Sequence, residues 1–110
     1  MEDVYVVGCG MHPFGRFDKS YEEIGAEAAR LALTDAGVSW SDIQSAFMAR
    51  MYLPATSGPR ILRILGGTDI SIIDVEAACA SGGAALRQAV LAVKSGDVEL
   101  ALVCGTEKMR

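Results

Sequence analysis

Apolar positions along the chain fall into two patterns that alternate: short continuous runs, and longer stretches in which apolar residues recur at helical spacing. "VYVV", residues 4–7, is a β-rich run closed by Gly-Cys-Gly and predicts a first strand buried on both faces. After a loop carrying Pro13 and Gly15, Ser20 and Glu23 form an S-x-x-E helix start. Ile24, Ala28, Leu31 and Ala32 then repeat with helical period until Gly37 stops the run. The apolar segment around Ser45 to Met51 predicts a second strand. Pro59 fits the first position of a short helix that shows Ile61, Leu62, Ile64 and Leu65 on one face and ends at Gly66-Gly67. "SIIDVEAA" predicts a third strand, Gly82 to Ser95 a third helix closed by Gly96-Asp97, and "ELALVCG" a fourth strand.

Strands that alternate with helices on short connections imply an α/β fold, a mostly parallel sheet with crossover helices. No internal repeat or linker divides residues 1–110, which read as a single partial domain. The end at "GTEKMR", a few residues past the last strand, points to a piece of a longer enzyme. A parallel sheet with an uncovered edge is expected to self-associate or to bind whatever completes it.

Composition narrows the function. With 51% hydrophobic and 22% charged residues the chain is globular rather than disordered. A net charge of -4, with no cluster of Lys or Arg longer than a pair, argues against a nucleic-acid partner, which requires a concentrated basic face. The apolar runs are too short for a bilayer and the acidic start lacks the basic region of a secretion signal, so no membrane partner and a cytoplasmic location are expected. Three cysteines, Cys9, Cys79 and Cys104, are widely spaced without a C-x-x-C pair, which supports neither a disulfide framework nor a metal site.

Position therefore decides which cysteine carries chemistry. Cys9 and Cys104 lie within or at the ends of predicted strands and read as small core residues. Cys79 falls where the third strand gives way to the third helix, at the carboxyl end of the sheet, where ligands bind in open α/β folds. The N-terminus of a helix favours a thiolate, the nucleophilic form of a cysteine. Ala80, Ser81, Gly82 and Gly83 permit a sharp turn and close approach of a substrate carbonyl, and the local N–H groups can steady an oxyanion. Together they make an acyl-transfer device, with a buried structural thiol as the alternative reading.

These residues resemble the thiolase family, the acetyl-CoA acetyltransferases, particularly its archaeal and sterol-carrier-protein-type branches. "VEAACASGGAAL" is similar to the segment of the acyl-enzyme cysteine, "LALVCGTEKM" to the next strand, and "VYVVGCGMHPFGRF" to the N-terminal strand and loop. The similarity runs the length of the chain and covers the first part of a thiolase subunit, the N-terminal portion of its N-terminal domain. Where the family usually has Asn three residues before the cysteine, this chain has Glu76.

The resemblance implies a thiolase-like fold and Cys79 as acyl-accepting nucleophile, in Claisen condensation of acetyl-CoA or thiolytic cleavage of a 3-ketoacyl-CoA. It implies acyl-CoA and acetyl-CoA as substrates, no covalently bound cofactor, a homo-oligomer (dimer or tetramer), and additional subunits of a thiolase complex as further candidate partners. In the family the base is a second cysteine and the assisting histidines come from the later half of the subunit; neither motif occurs here. His12 reads as a surface or loop-packing histidine, Arg60 and Arg63 as the solvated face of a helix, and Met48 and Met51 as packing. Arg50 and these two arginines are also candidates for CoA phosphates or a partner subunit. Glu76 is either a strand residue at a subunit interface or a polar group beside the nucleophile. The alternatives are a related ketoacyl or hydroxymethylglutaryl-CoA synthase, a thiolase-like retro-aldolase, or a non-catalytic structural subunit.

Overall fold

The computed structural model describes residues 3–67 and 69–109. Three parallel strands, β1 (Ser45–Ala49), β2 (Ser71–Val75) and β3 (Ala101–Gly105), form a sheet in the order β2-β1-β3. The register sets Ala49 level with Val75 on one side and Gly105 on the other, so all three strands end at the same rim. Helices α1 (Tyr21–Ala36) and α2 (Ser57–Leu62) cover one face and α3 (Ser81–Lys94) the other, so the parallel sheet with crossover helices expected from the sequence forms the middle of three layers.

Each helix starts and stops for a local reason. The Ser20 hydroxyl accepts the Glu23 N–H at 3.2 Å and caps α1. At the other end Gly37 takes φ 73°, its N–H reaching Thr34 O at 3.2 Å while the Val38 N–H reaches Leu33 O at 3.1 Å. Helix α2 begins two residues earlier than Pro59 predicts; the proline is its third residue, still within the turn whose N–H groups lack helical acceptors. Ile61 and Leu62 are buried as expected, whereas Ile64 lies beyond the helix and is exposed. Helix α3 ends in a turn through Gly96 at φ 81°.

Strand β1 is buried at all five positions because it has a strand on each side and a helix layer on each face. Ala46 and Met48 point into the core with Ala26, Ala29, Ile61, Leu62, Leu102 and Cys104. Phe47 and Ala49 point the other way, onto Ala85 and Ala89 of α3. Met48 therefore is a packing residue, as its sequence context indicates.

One expected strand is absent. Residues 4–7 belong to no strand, and Tyr5, Val6 and Val7 are exposed at 75%, 75% and 57%. What holds the following residues is helix packing: a Cβ built on Gly10 would lie 2.4 Å from the Ala32 N and one on Gly8 2.7 Å from the Ala32 O, so the chain rests directly on the backbone of α1. The Cys9 N–H donates to the Asp35 carboxylate at 2.8 Å, and Cys9 itself is exposed, contrary to its reading as a core residue. An apolar groove of about 1890 Å³ separates this extended segment from β3 and is floored by α1 and α3. The groove keeps residues 4–7 apart from the outer edge of β3, so this run of apolar β-formers pairs with no strand.

Candidate active site

The site is built on the turn between β2 and α3. After Val75 the chain crosses Glu76 to Ala80 before α3 begins at Ser81, and Ala78 is held at φ 51°, a left-handed conformation that alanine rarely adopts. Hydrogen bonds from Ala80 N–H to Ala77 O (3.0 Å) and from Ser81 N–H to Ala78 O (3.2 Å) close the turn tightly. Cys79 sits on it, exposed, at the carboxyl rim of the sheet. The first helical N–H groups, through Gly83, have no acceptor within an α-helix, and Ala84 is the first to bond back, to Ala80 O at 2.9 Å. A methyl group added at Gly82 or Gly83 would meet nothing within 4 Å, so the space over this helix end is open.

Ser81 organises the turn from beneath. Its side chain is almost fully buried, and its hydroxyl accepts the Ala77 N–H at 2.7 Å. The hydroxyl proton has two carbonyl acceptors, Arg50 O at 2.9 Å and Ala78 O at 2.7 Å. The Arg50 bond ties the end of β1 to the cysteine turn. Glu76 adds a second tie, its carboxylate accepting the Ala78 N–H at 2.5 Å.

The same rim carries the loops that follow β1 and β3. The Glu107 carboxylate accepts the Met51 N–H at 2.6 Å and the Tyr52 N–H at 3.2 Å, and Arg50 donates from Nε to Leu53 O at 2.8 Å. Arg50 thus stitches its own loop, while Arg60 and Arg63 are exposed, matching the solvated-face reading. Neither the Ser81 hub nor the Glu107 anchor had been assigned these roles from sequence. The signals available were the serine two positions after the cysteine and the glutamate of Gly-Thr-Glu-Lys-Met.

His12 is buried and packs the N-terminal loop on α1: Nε2 is 2.9 Å from the Glu27 carboxylate, Nδ1 is 2.8 Å from Pro13 O, and the ring meets Phe17 edge-on. No hydrogen bond among the described residues joins it to Cys79. No group of three or more potential metal ligands occurs among the described residues, and none of their helices is long and apolar enough to cross a membrane.

Cys104, in contrast to Cys79, is a core thiol. Burial pushes its pKa up, partly offset by the Thr106 hydroxyl. Since the folded value exceeds that of the unfolded chain, Cys104 stabilises the fold fully below the unfolded-chain pKa, about 8.5. That contribution is lost as pH rises through the folded value. Cys104→Ala is expected to flatten the alkaline fall in stability; urea midpoints compared between pH 7 and 10 check it, and an unchanged slope would contradict it.

Comparison with known proteins places these features in context. The family model described as "Thiolase, N-terminal domain" matches residues 4–110. The acetyl-CoA acetyltransferase of Methanocaldococcus jannaschii is 38% identical over 99% of this chain and 29% of its own length. Sterol carrier protein 2 of Bos taurus is 37% identical over 96% of this chain and 20% of its own. The chain therefore spans less than a third of these relatives. Among solved structures, the priming β-ketosynthase of a polyketide biosynthetic pathway superposes with a TM-score of 0.74 at 30% identity, covering 92% of this chain and 32% of that one.

Proposed function

This chain belongs to the thiolase family, and from that premise we propose that it supplies the acyl-accepting nucleophile of a thiolase, Cys79. The thiolate attacks the carbonyl of an acyl-CoA; the carbon–sulfur bond to coenzyme A breaks, free CoA leaves, and an acyl thioester remains on Cys79. A carbanion formed from acetyl-CoA then attacks that thioester, giving a 3-ketoacyl-CoA and regenerating the thiolate. Thiolytic cleavage is the same sequence reversed. The N–H groups at the open start of α3 are suited to hold the oxygen on which charge develops. Acyl-CoA and acetyl-CoA are substrates in this reading, the base for the α-proton comes from outside these residues, and a homo-oligomer in the cytoplasm is its setting.

The observation that carries the proposal is the exposed thiol on a tight strand-to-helix turn at the rim where all three strands end, with open space above Gly82 and Gly83. Structural similarity to a β-ketosynthase supports a second reading, in which the same cysteine is acylated in a decarboxylative or synthase-type condensation. Intact-mass spectrometry of the full-length protein after brief exposure to acetyl-CoA tests the first step common to both. A single acetyl adduct is expected, absent from Cys79→Ala; no adduct on the wild-type protein would leave a structural subunit as the answer.

A further inference from the structure

We infer that Glu76 is a positioning residue for Cys79, acting by pinning the strained Ala78 peptide that aims the thiol. The acylation consequence rests on the acyl-transfer reading above, but the geometry does not. Ala78 stands between the two residues and occupies φ 51°, where an alanine is disfavoured by on the order of tenfold. A turn of this kind persists only where its surroundings hold it. Ser81 holds the peptides on either side of it, through the Ala77 N–H and as a donor toward the Ala78 carbonyl. Neither bond engages the Ala78 N–H. That group is taken by the Glu76 carboxylate at 2.5 Å, a charge-assisted bond stronger than a neutral one.

Glu76 is exposed and belongs to neither core cluster, and the hydrogen bond its carboxylate makes among the described residues is the one to the Ala78 N–H. Its bond spans only two residues and holds the Ala77–Ala78 peptide, one peptide before the one that leads into Cys79. If the carboxylate is removed, the turn keeps the bonds to the Ala77 and Ala78 carbonyls but loses the one on the Ala78 N–H, so an ordinary negative φ at Ala78 gains population at the expense of the turn that carries Cys79. The fraction of molecules holding the competent turn, and with it the reactivity of Cys79, falls in proportion.

The test reads Cys79 alkylation by iodoacetamide, followed by peptide mass spectrometry on the full-length protein, with acetyl-adduct formation measured in parallel. Glu76→Ala is expected to slow alkylation of Cys79 by about tenfold, while Glu76→Gln, which retains an acceptor oxygen, stays close to wild type. Adding Ala78→Gly to Glu76→Ala is expected to restore the rate, because glycine adopts positive φ without penalty. Cys104, buried in the core, should remain protected throughout and so reports an intact fold.

Wild-type reactivity of Glu76→Ala would overturn the proposal. So would a slow Glu76→Ala that glycine at position 78 fails to rescue, since a carboxylate acting on substrate or on the thiolate directly would not be replaced by backbone freedom. Normal alkylation behaviour without any acetyl adduct in the wild type would refute acyl transfer and leave the positioning role of Glu76 standing.

Discussion

Met48→Ala is expected to lower the free energy of unfolding by about 2 to 5 kcal/mol, the range for truncating a large buried side chain. Met48 is the large side chain that the central strand turns toward α1 and α2, and it is only 2% exposed. The core cluster it belongs to is drawn from three further elements, with Ala26 of α1, Ile61 and Leu62 of α2, and Leu102 of β3 among its members, so refilling the vacated space would require several elements to move together. Gly58 confirms how close the packing is: a Cβ there would lie 2.8 Å from the Met48 Cγ. The measurement is urea denaturation, read as a lower midpoint at unchanged slope. Met48→Leu, nearly volume-conserving, should cost less than about 1.5 kcal/mol. A Met48→Ala cost as small as that of Met48→Leu, below about 1.5 kcal/mol, would show that the site tolerates a void and that the packing described for β1 is wrong.

Ser81→Ala should cost about 1 to 3 kcal/mol, the penalty for stranding part-buried polar groups, and should also slow acyl-adduct formation on Cys79. The hydroxyl is the acceptor for Ala77 N–H and the donor within reach of two carbonyls, so its removal touches three backbone groups. A methyl side chain fills the space but offers none of these bonds. Ser95→Ala is the control: that hydroxyl also bonds a carbonyl, Ala92 O at 3.0 Å, but at the surface, where the change should stay within about 0.5 kcal/mol. If the two serines behave alike, the Ser81 network contributes nothing beyond an ordinary surface bond.

Much of the fold was legible because it is written locally. The Ser20 cap, the Gly37 stop, the periodicity of α1 and the apolar runs of β1, β2 and β3 each act within a few residues, and the structure places all of them close to where the sequence does. The N-terminal run failed as a strand for the complementary reason. "VYVV" has the composition of a buried strand, yet burial is conferred by a neighbour, and no local pattern states whether that neighbour is present. Cys9 was misplaced along with it.

At the site, the placement of Cys79 between strand and helix could be read from the change of period at Ala77 to Gly83. The supports could not. The Ser81 hydroxyl reaches Arg50, 31 residues away, and Glu107 reaches Met51, 56 residues away. Those bonds follow from the strand order, which brings the ends of β1 and β3 to one rim only after the sheet has formed.

The same strand order governs how the chain can be made. β1 occupies the middle of the sheet, but it is the first strand to be synthesised, and its two partners arrive late: Ser71 pairs with Ser45 on one edge, and Ala101 pairs with it on the other. Translation at roughly 5 to 20 residues per second leaves an interval of about 3 to 11 s between β1 and the first residues of β3. Throughout that interval Ala46, Phe47, Met48 and Ala49 have at least one strand edge open, and both until β2 is made. A nascent chain paused before Ala101 is therefore a natural client for a chaperone that grips short apolar stretches, with β1 as the stretch it would hold.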